Sequence, residues 1–288
     1  MIRVATCFLL TCSLYSGTLR AAETASSPFF ALCMDMHDAK KRSLADQAAL
    51  LEELGYAGAG HVWLKGVDER IKTLQERALK LFQVYVRVNV APNARQAYDP
   101  KLKAVMPLLG KHGTQVALLV IGGKPSDESQ DGRAVELIRE IADLAAQSKA
   151  QVVLYPHQNH WLERVEDAIR LAKKAERPNV GIMWNLCHWL KVDADEDAAA
   201  MCREAMPYLK AVSINGADRG ADIRSGKGNW IQPLGQGSFD MESFLKALFD
   251  SGYKGPIGLQ CYGIKGDARV HLAESIREWK RLQSKAAR

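Results

Sequence analysis

The chain has 288 residues, of which 47% are hydrophobic and 25% charged, enough apolar material to bury the core of one sizeable domain. Its 39 lysines and arginines exceed its 33 aspartates and glutamates by only six, and the basic residues are scattered over predicted helices. This mild and dispersed excess favours solvated helix faces over a nucleic-acid-binding surface.

The N-terminus has the pattern of a signal peptide. Arg3 precedes an apolar run over residues 4–15, and small residues ending in Ala21 and Ala22 follow it. The run is shorter than the roughly 20 apolar residues that a membrane-spanning helix needs. We therefore expect residues 1–22 to be removed and the mature protein, with a net charge of +4 once Arg3 and Arg20 are lost, to be periplasmic or secreted, without a membrane segment.

Four of the six cysteines follow residue 22, and their spacing is wide. They are Cys33, Cys187, Cys202 and Cys261. The spacing matches neither a disulfide-rich small domain nor a zinc motif of the Cys-x-x-Cys kind. Although an exported protein can form disulfides, buried free thiols are the preferred interpretation for Cys33, Cys187 and Cys261.

Eight short apolar runs predict β-strands that are buried on both faces. They span residues 29–36, 57–64, 82–90, 115–121, 151–155, 180–185, 211–215 and 257–262. Amphipathic segments separate them; in the first, Leu44, Ala48, Leu51 and Leu54 share one face and Gly55 follows. Gly252 similarly ends a later helix, where positive φ is often required.

Eight strands that alternate with helices predict an α/β fold in which a single (β/α)₈ barrel spans residues 23–288. A doubly wound open sheet is the alternative. No Gly-x-Gly-x-x-Gly motif follows the first strand to support a dinucleotide site in such a sheet.

Functional side chains of such a barrel emerge at the C-terminal ends of its strands. The polar residues there are Asp35, His37, His61, His157, His160, Asn185, His188, Asn215, Asp218 and Gln260, which include five of the seven histidines. A lone histidine at a strand end is more often a satisfied hydrogen-bonding residue than a ligand, and this is the preferred interpretation for His37 and His160. His157 and His188 follow neighbouring strands and are expected to converge over the barrel mouth.

Several tryptophans lie close to the same strand ends. Trp63 and Trp184 are candidates for stacking on the apolar face of a sugar ring, although Trp184 is equally compatible with the core. With Asn185, Asn215 and Gln260 they form the predicted substrate-binding set.

Several runs carry a resemblance to a known family. They are residues 155–157 (Tyr-Pro-His), 181–188 (GIMWNLCH), 233–240 (PLGQGSFD) and 252–260 (GYKGPIGLQ). These runs resemble the xylose isomerase-like TIM-barrel family of sugar phosphate isomerases and epimerases. The resemblance implies a TIM barrel that acts on a small carbohydrate.

The same resemblance implies a divalent metal bound by two glutamates, an aspartate and a histidine, with the glutamates also shuttling a proton. At those positions this sequence has Tyr155, Asn185, Ser213 and Gln260, so all four depart from the pattern. His157 and His188 match histidines that the family places beside the ligands.

Loss of three carboxylates removes the negative charge that a hard dication requires. Imidazole still suits a borderline ion such as zinc, so His61, His157 and His188 are the predicted ligands if Zn or Mn is bound. The base for proton transfer must then come from His157, His188, Asp35 or Asp218.

Two functions remain open. The first is a sugar or keto-sugar isomerase, epimerase or related lyase that moves a proton beside a carbonyl. The second is a carbohydrate-binding barrel without catalytic activity. An endonuclease acting at abasic DNA sites is disfavoured by the predicted export and the modest charge.

Overall fold

Eight parallel strands close into a barrel, and at least one helix follows each of them. The structure is a computed structural model that describes residues 27–193 and 197–286, so the predicted signal peptide of residues 1–22 lies outside the described residues. The strands are β1 (Phe29–Leu32), β2 (Gly58–Val62), β3 (Lys80–Asn89), β4 (Gln115–Ile121), β5 (Val152–Leu154), β6 (Val180–Asn185), β7 (Leu209–Ile214) and β8 (Ile257–Gln260). Each strand pairs with the next, and β8 pairs with β1.

The helices pack around the outside of this barrel. They are α1 (Leu44–Leu54), α2 (Val67–Gln75), α3 (Lys101–Lys111), α4 (Asp131–Gln147), α5 (Val165–Ala175), α6 (Leu186–Val192), α7 (Ala198–Ala205), α8 (Gly220–Arg224), α9 (Met241–Asp250) and α10 (Ala268–Ala286), with a 3₁₀ turn at Glu128–Gln130. The predicted single (β/α)₈ barrel is confirmed. None of the helices described is long and apolar enough to cross a membrane.

Local sequence explains where several of these elements begin and end. Ser43 accepts a hydrogen bond from the Asp46 amide and caps α1, which ends at Gly55 with φ of 85°. Gly252 likewise has φ of 92° after α9. Strand β1 is shorter than predicted because Cys33 adopts a left-handed backbone conformation, with φ of 58°, that breaks the extended chain.

The core has two layers, because successive strand residues point to opposite faces. Inside the barrel, Phe30, Tyr85, Tyr155 and Met183 belong to one buried cluster. A larger cluster fills the space between the strands and the helices. The inward-facing side chains at the C-terminal ends of the strands therefore form the floor of the barrel mouth.

The four cysteines within the described residues are free thiols. Cys187, Cys202 and Cys261 are buried, whereas Cys33 is half-buried. The prediction of buried free thiols is thus confirmed for Cys187 and Cys261. Burial raises the pKa of the Cys33 thiol to about 12, so it remains protonated at neutral pH.

Candidate functional site

A cavity of about 370 Å³ opens at the C-terminal ends of the strands. Its walls carry the imidazoles and aromatic rings of His157, His160, His188, Trp63, Tyr85, Tyr155, Trp230 and Tyr262, together with Gln260 and Arg87. Among the described residues, no aspartate or glutamate lines it. The cavity thus offers aromatic faces, neutral hydrogen-bonding groups and one guanidinium, with no acidic group.

Three imidazoles form a contacting cluster in this cavity. His157 and His160 lie in the turn after β5, and His188 lies in the first turn of α6, directly after β6. The ring centroid of His157 is 3.8 Å from that of His188 and 4.0 Å from that of His160. The neighbouring strands β5 and β6 therefore bring His157 and His188 into one site, as their order in the chain implied.

Burial keeps this cluster uncharged. It lowers the pKa of His157, and it lowers that of His188 well below 6.5, with further lowering from the neighbouring imidazoles and Lys191. The pKa of His160 falls to about 4 through burial, His157 and Arg87. All three rings are consequently neutral near pH 7, and each then carries one nitrogen with a free electron pair.

Hydrogen bonding assigns the proton of His157 to one nitrogen. Its Nδ1 lies 2.8 Å from the carbonyl oxygen of Gln158, which can only accept. Nδ1 therefore carries the proton in the neutral ring, and Nε2 has the free electron pair. The Nδ1 atoms of His160 and His188 are buried without a hydrogen-bond partner among the residues described.

The rim of the cavity exposes apolar side chains. Met36, Trp63 and Tyr262 are 47%, 41% and 47% exposed, and all three line the cavity. Trp63 has φ of 69°, an uncommon conformation for a bulky residue, and the Arg87 guanidinium lies 4.8 Å from its ring centroid. An exposed ring in a strained backbone position is typical of a binding surface.

His61 and Asp35 were both predicted near the barrel mouth, but they contact the Arg70 guanidinium and do not line the cavity. The ring of His61 contacts the Lys65 carbonyl through Nε2 and the Arg70 guanidinium through Nδ1. Asp35 lies 3.8 Å from the same guanidinium. The structure therefore does not bring His61 together with His157 and His188.

Asn215 and Asp218 organise the long segment after β7. The Asn215 amide donates to the carbonyls of Gly216 and Trp230, and the Asp218 carboxylate accepts from the amides of Asn229 and Ser238. These backbone hydrogen bonds lower the pKa of Asp218. Neither side chain lines the cavity, although the loop that they hold places Trp230 there.

Trp184 lies on the outer face of β6 and is fully buried. Its ring packs edge-on against Trp189 and Phe244, in the core between the barrel and the helices. Because side chains alternate along a strand, the neighbouring Asn185 points to the interior instead. Of the two tryptophans predicted to bind substrate, the cavity contains only Trp63.

Four residues of the cavity wall were not predicted from the sequence: Tyr85, Arg87, Trp230 and Tyr262. A signal for the first two was present, since Tyr85 and Arg87 alternate with valines along β3 and thus share one face at its C-terminal end. Trp230 and Tyr262 lie in irregular segments, for which the chain has no comparable periodicity.

Comparison with known proteins assigns the chain to a family. Residues 19–282 match the family described as Xylose isomerase-like TIM barrel. The chain belongs to this family. A structure of L-ribulose 3-epimerase covers 91% of this chain and 96% of its own, with a TM-score of 0.71 and 14% identity. D-allulose 3-epimerase from Methylomonas sp. in complex with D-allulose gives a TM-score of 0.69 at 16% identity, covering 90% of this chain and 98% of its own.

A curated relative adds sequence similarity to this shared fold. It is 3-dehydroshikimate dehydratase of Pseudomonas aeruginosa, 24% identical over 189 residues, which are 62% of this chain and 28% of that protein. The chain thus spans little more than a quarter of that relative's length.

The four positions where the xylose isomerase-like family implies metal ligands do not fit a divalent cation here. The Asn185 amide donates to the Tyr155 hydroxyl, and the Gln260 side-chain oxygen accepts from the Tyr262 amide at 3.1 Å. Ser213 is buried, and all four groups are uncharged. Within residues 27–193 and 197–286, no group of three histidine, cysteine or acidic side chains is arranged to hold a metal ion. The side chains at these four positions can form hydrogen bonds instead.

Proposed function

We propose that this protein is an enzyme that acts on a small carbohydrate bound in the mouth cavity, moving a proton on the carbon beside a carbonyl. The observation that carries the proposal is the neutral, contacting pair of imidazoles, His157 and His188, in the wall of an aromatic cavity. A neutral imidazole is the form that accepts a proton, and aromatic faces suit the apolar side of a sugar ring.

Different residues of the cavity bind the substrate and transfer the proton. Trp63 and Trp230 present ring faces to the sugar, and Gln260 orients its hydroxyl or carbonyl groups. Nε2 of His157 takes the proton from the carbon, leaving an enolate, and the resulting imidazolium returns that proton to complete an isomerisation. In an epimerisation the proton passes from His157 to His188, which delivers it to the carbon. Because the imidazoles contact each other, protonation of one disfavours protonation of the other.

The activities of similar proteins agree with this reaction class. L-ribulose 3-epimerase and D-allulose 3-epimerase share the fold, and the curated relative is a dehydratase. They support a carbohydrate or a related cyclic hydroxy compound as the substrate class.

Solvent deuterium exchange tests the proposal without knowledge of the product. The purified protein is incubated in D₂O with a panel of ketoses and keto-sugars, and NMR follows loss of the C–H signal beside each carbonyl. We expect His157→Ala and His188→Ala each to abolish most of the exchange, and the double variant to be little worse, since residues that serve one step are far from additive. His112→Ala, at the end of α3 and outside the cavity, is the matched control.

A second function is supported by the absence of acidic groups from the cavity lining within the described residues. In this alternative the barrel binds a carbohydrate without transforming it. Calorimetric binding of a sugar by the wild type, with no deuterium exchange into that sugar, would select the binding function. Exchange that persists in both histidine variants would reject the proposed pair.

A further inference from the structure

The Asn185 and Tyr155 pair in the cavity floor has a direction that determines what the tyrosine can do. The Asn185 oxygen accepts from the Cys187 amide at 3.1 Å and from the Cys187 thiol at 2.9 Å, which orients the side-chain amide. Its nitrogen, which can only donate, therefore faces the Tyr155 hydroxyl oxygen. That oxygen is an acceptor in this bond, so the hydroxyl hydrogen remains available.

Within the described residues, the Tyr155 hydroxyl accepts the bond from Asn185 and donates none to a side chain or backbone group. The nearby Tyr85 donates its own hydroxyl to Gln83. Tyr155 lines the cavity, and its ring centroid is 6.1 Å from that of His157 and 5.9 Å from that of His188. A buried hydroxyl that accepts one hydrogen bond and donates none is suited to donate to a ligand.

We infer that Tyr155 is a catalytic residue that donates a hydrogen bond to the carbonyl oxygen of the substrate, with Asn185 as its positioning residue. The inference rests on the proposed function. As His157 Nε2 takes the proton, the C–H electron pair forms the carbon–carbon double bond of the enolate and the carbonyl π pair moves to oxygen. The Tyr155 hydroxyl stabilises the negative charge that develops there.

Burial supports this role, because it raises the pKa of the Tyr155 hydroxyl well above 10 and so keeps its hydrogen in place near neutral pH. Tyr155 also occupies one of the positions where the family implies a metal-binding glutamate. A neutral hydroxyl donor at this position stabilises the developing oxyanion by placing a fixed dipole at the oxygen, as a positive charge would.

Three variants test the inference in the full-length protein, with the deuterium-exchange rate and the dissociation constant of the same keto-sugar measured side by side. Tyr155→Phe should lower the exchange rate about 100-fold or more, the effect of removing one oxyanion donor, while the dissociation constant changes less than about threefold. Tyr56→Phe removes a buried hydroxyl that donates to the Leu272 carbonyl outside the cavity, and it should leave the exchange rate per folded molecule unchanged.

Asn185→Asp is the sharper variant, because it reverses the hydrogen bond while nearly preserving the shape. The new carboxylate accepts the tyrosine hydrogen and diverts it from the substrate, so exchange should fall about as far as in Tyr155→Phe although the tyrosine is present. The double variant that combines Tyr155→Phe with Asn185→Asp should exchange little more slowly than either single variant.

The outcomes separate this inference from the proposed function. If folded Tyr155→Phe or Asn185→Asp exchanges deuterium at the wild-type rate, the role of Tyr155 is overturned and the histidine mechanism is unaffected. A rate loss matched by an equal loss of affinity identifies a binding group only, which also overturns the inference. Absence of exchange in the wild type across the whole panel overturns both.

Discussion

At the scale of single residues, Trp63 combines an exposed ring with a backbone conformation that costs free energy. A bulky residue with φ of 69° is strained by about 1 kcal/mol or more. The strand-end turn maintains this conformation through the Trp63 amide, which donates to the Tyr85 carbonyl at 3.1 Å. The strained backbone places the ring at the rim of the cavity.

Trp63→Gly and Trp63→Ala both remove the ring and differ only in backbone preference. We expect the glycine variant to be more stable than the alanine variant by about 1 kcal/mol, because only glycine adopts this φ without a Cβ penalty. The order is the reverse of that at an ordinary helical position. Urea unfolding of the two variants measures the difference, and an alanine variant of equal or higher stability would contradict the strain.

The neutral histidines make stability depend on pH. A histidine whose pKa is lowered on folding binds fewer protons in the folded than in the unfolded state, so its contribution is complete above pH 6.5 and is lost as the pH falls toward about 4. We expect the free energy of unfolding to decrease across this window. His160→Gln should flatten the decrease by on the order of 1 kcal/mol, allowing for partial solvent screening, in denaturant titrations at pH 7 and 4.5.

His112→Gln serves as the control for that measurement. An unchanged pH dependence in His160→Gln would show that His160 is not held neutral by its surroundings.

At the scale of elements, helix α9 begins where the sequence places a cap. Asp240 accepts a hydrogen bond from the Ser243 amide at 3.0 Å, directly before the apolar stripe of Phe244, Leu245 and Leu248. That stripe is buried against the barrel. Such a cap is a local feature, because it depends on residues only three positions apart in the chain.

Asp240→Ala should therefore lower the free energy of unfolding by about 1 kcal/mol. Asp240→Asn, which keeps an acceptor oxygen, should recover most of the loss. Thermal and urea unfolding report the change, while carbohydrate binding per folded molecule should be unaffected. An unchanged melting temperature in Asp240→Ala would count against the cap.

At the scale of the whole molecule, one buried carboxylate ties the first β/α unit to the last. Asp38 accepts from the Ala268 amide at the start of α10, and it pairs with Arg42 at 2.9 Å. Arg42 also reaches Asp267, at 2.7 Å. These bonds hold the loop after β1 against the loop after β8, where the barrel closes.

Asp38→Ala should cost about 3 kcal/mol, because it removes one of the two carboxylates that pair with Arg42 and leaves the buried Ala268 amide without its acceptor. Asp267→Ala removes a less buried member of the same network and should cost under about 1 kcal/mol. Equilibrium unfolding of the two variants compares them, and equal costs would show that burial of Asp38 does not matter.

The sequence by itself determined the barrel and the meeting of His157 with His188. Buried parallel strands appear as continuous apolar runs, and strict alternation with helices places consecutive strand ends side by side. The caps at Ser43 and Asp240 depend on neighbours in the chain and are equally local. The signal peptide of residues 1–22 stays a prediction.

Only the tertiary structure decided which polar strand-end residues line the cavity. Asp218 bonds to amides 11 and 20 positions away in the chain, and Trp230 reaches the mouth through that loop. Whether Asn185 donates to Tyr155 depends on two strands and the first turn of α6 together. Such pairings depend on distances between segments remote in sequence, and neither residue type nor periodicity encodes those distances before the chain folds.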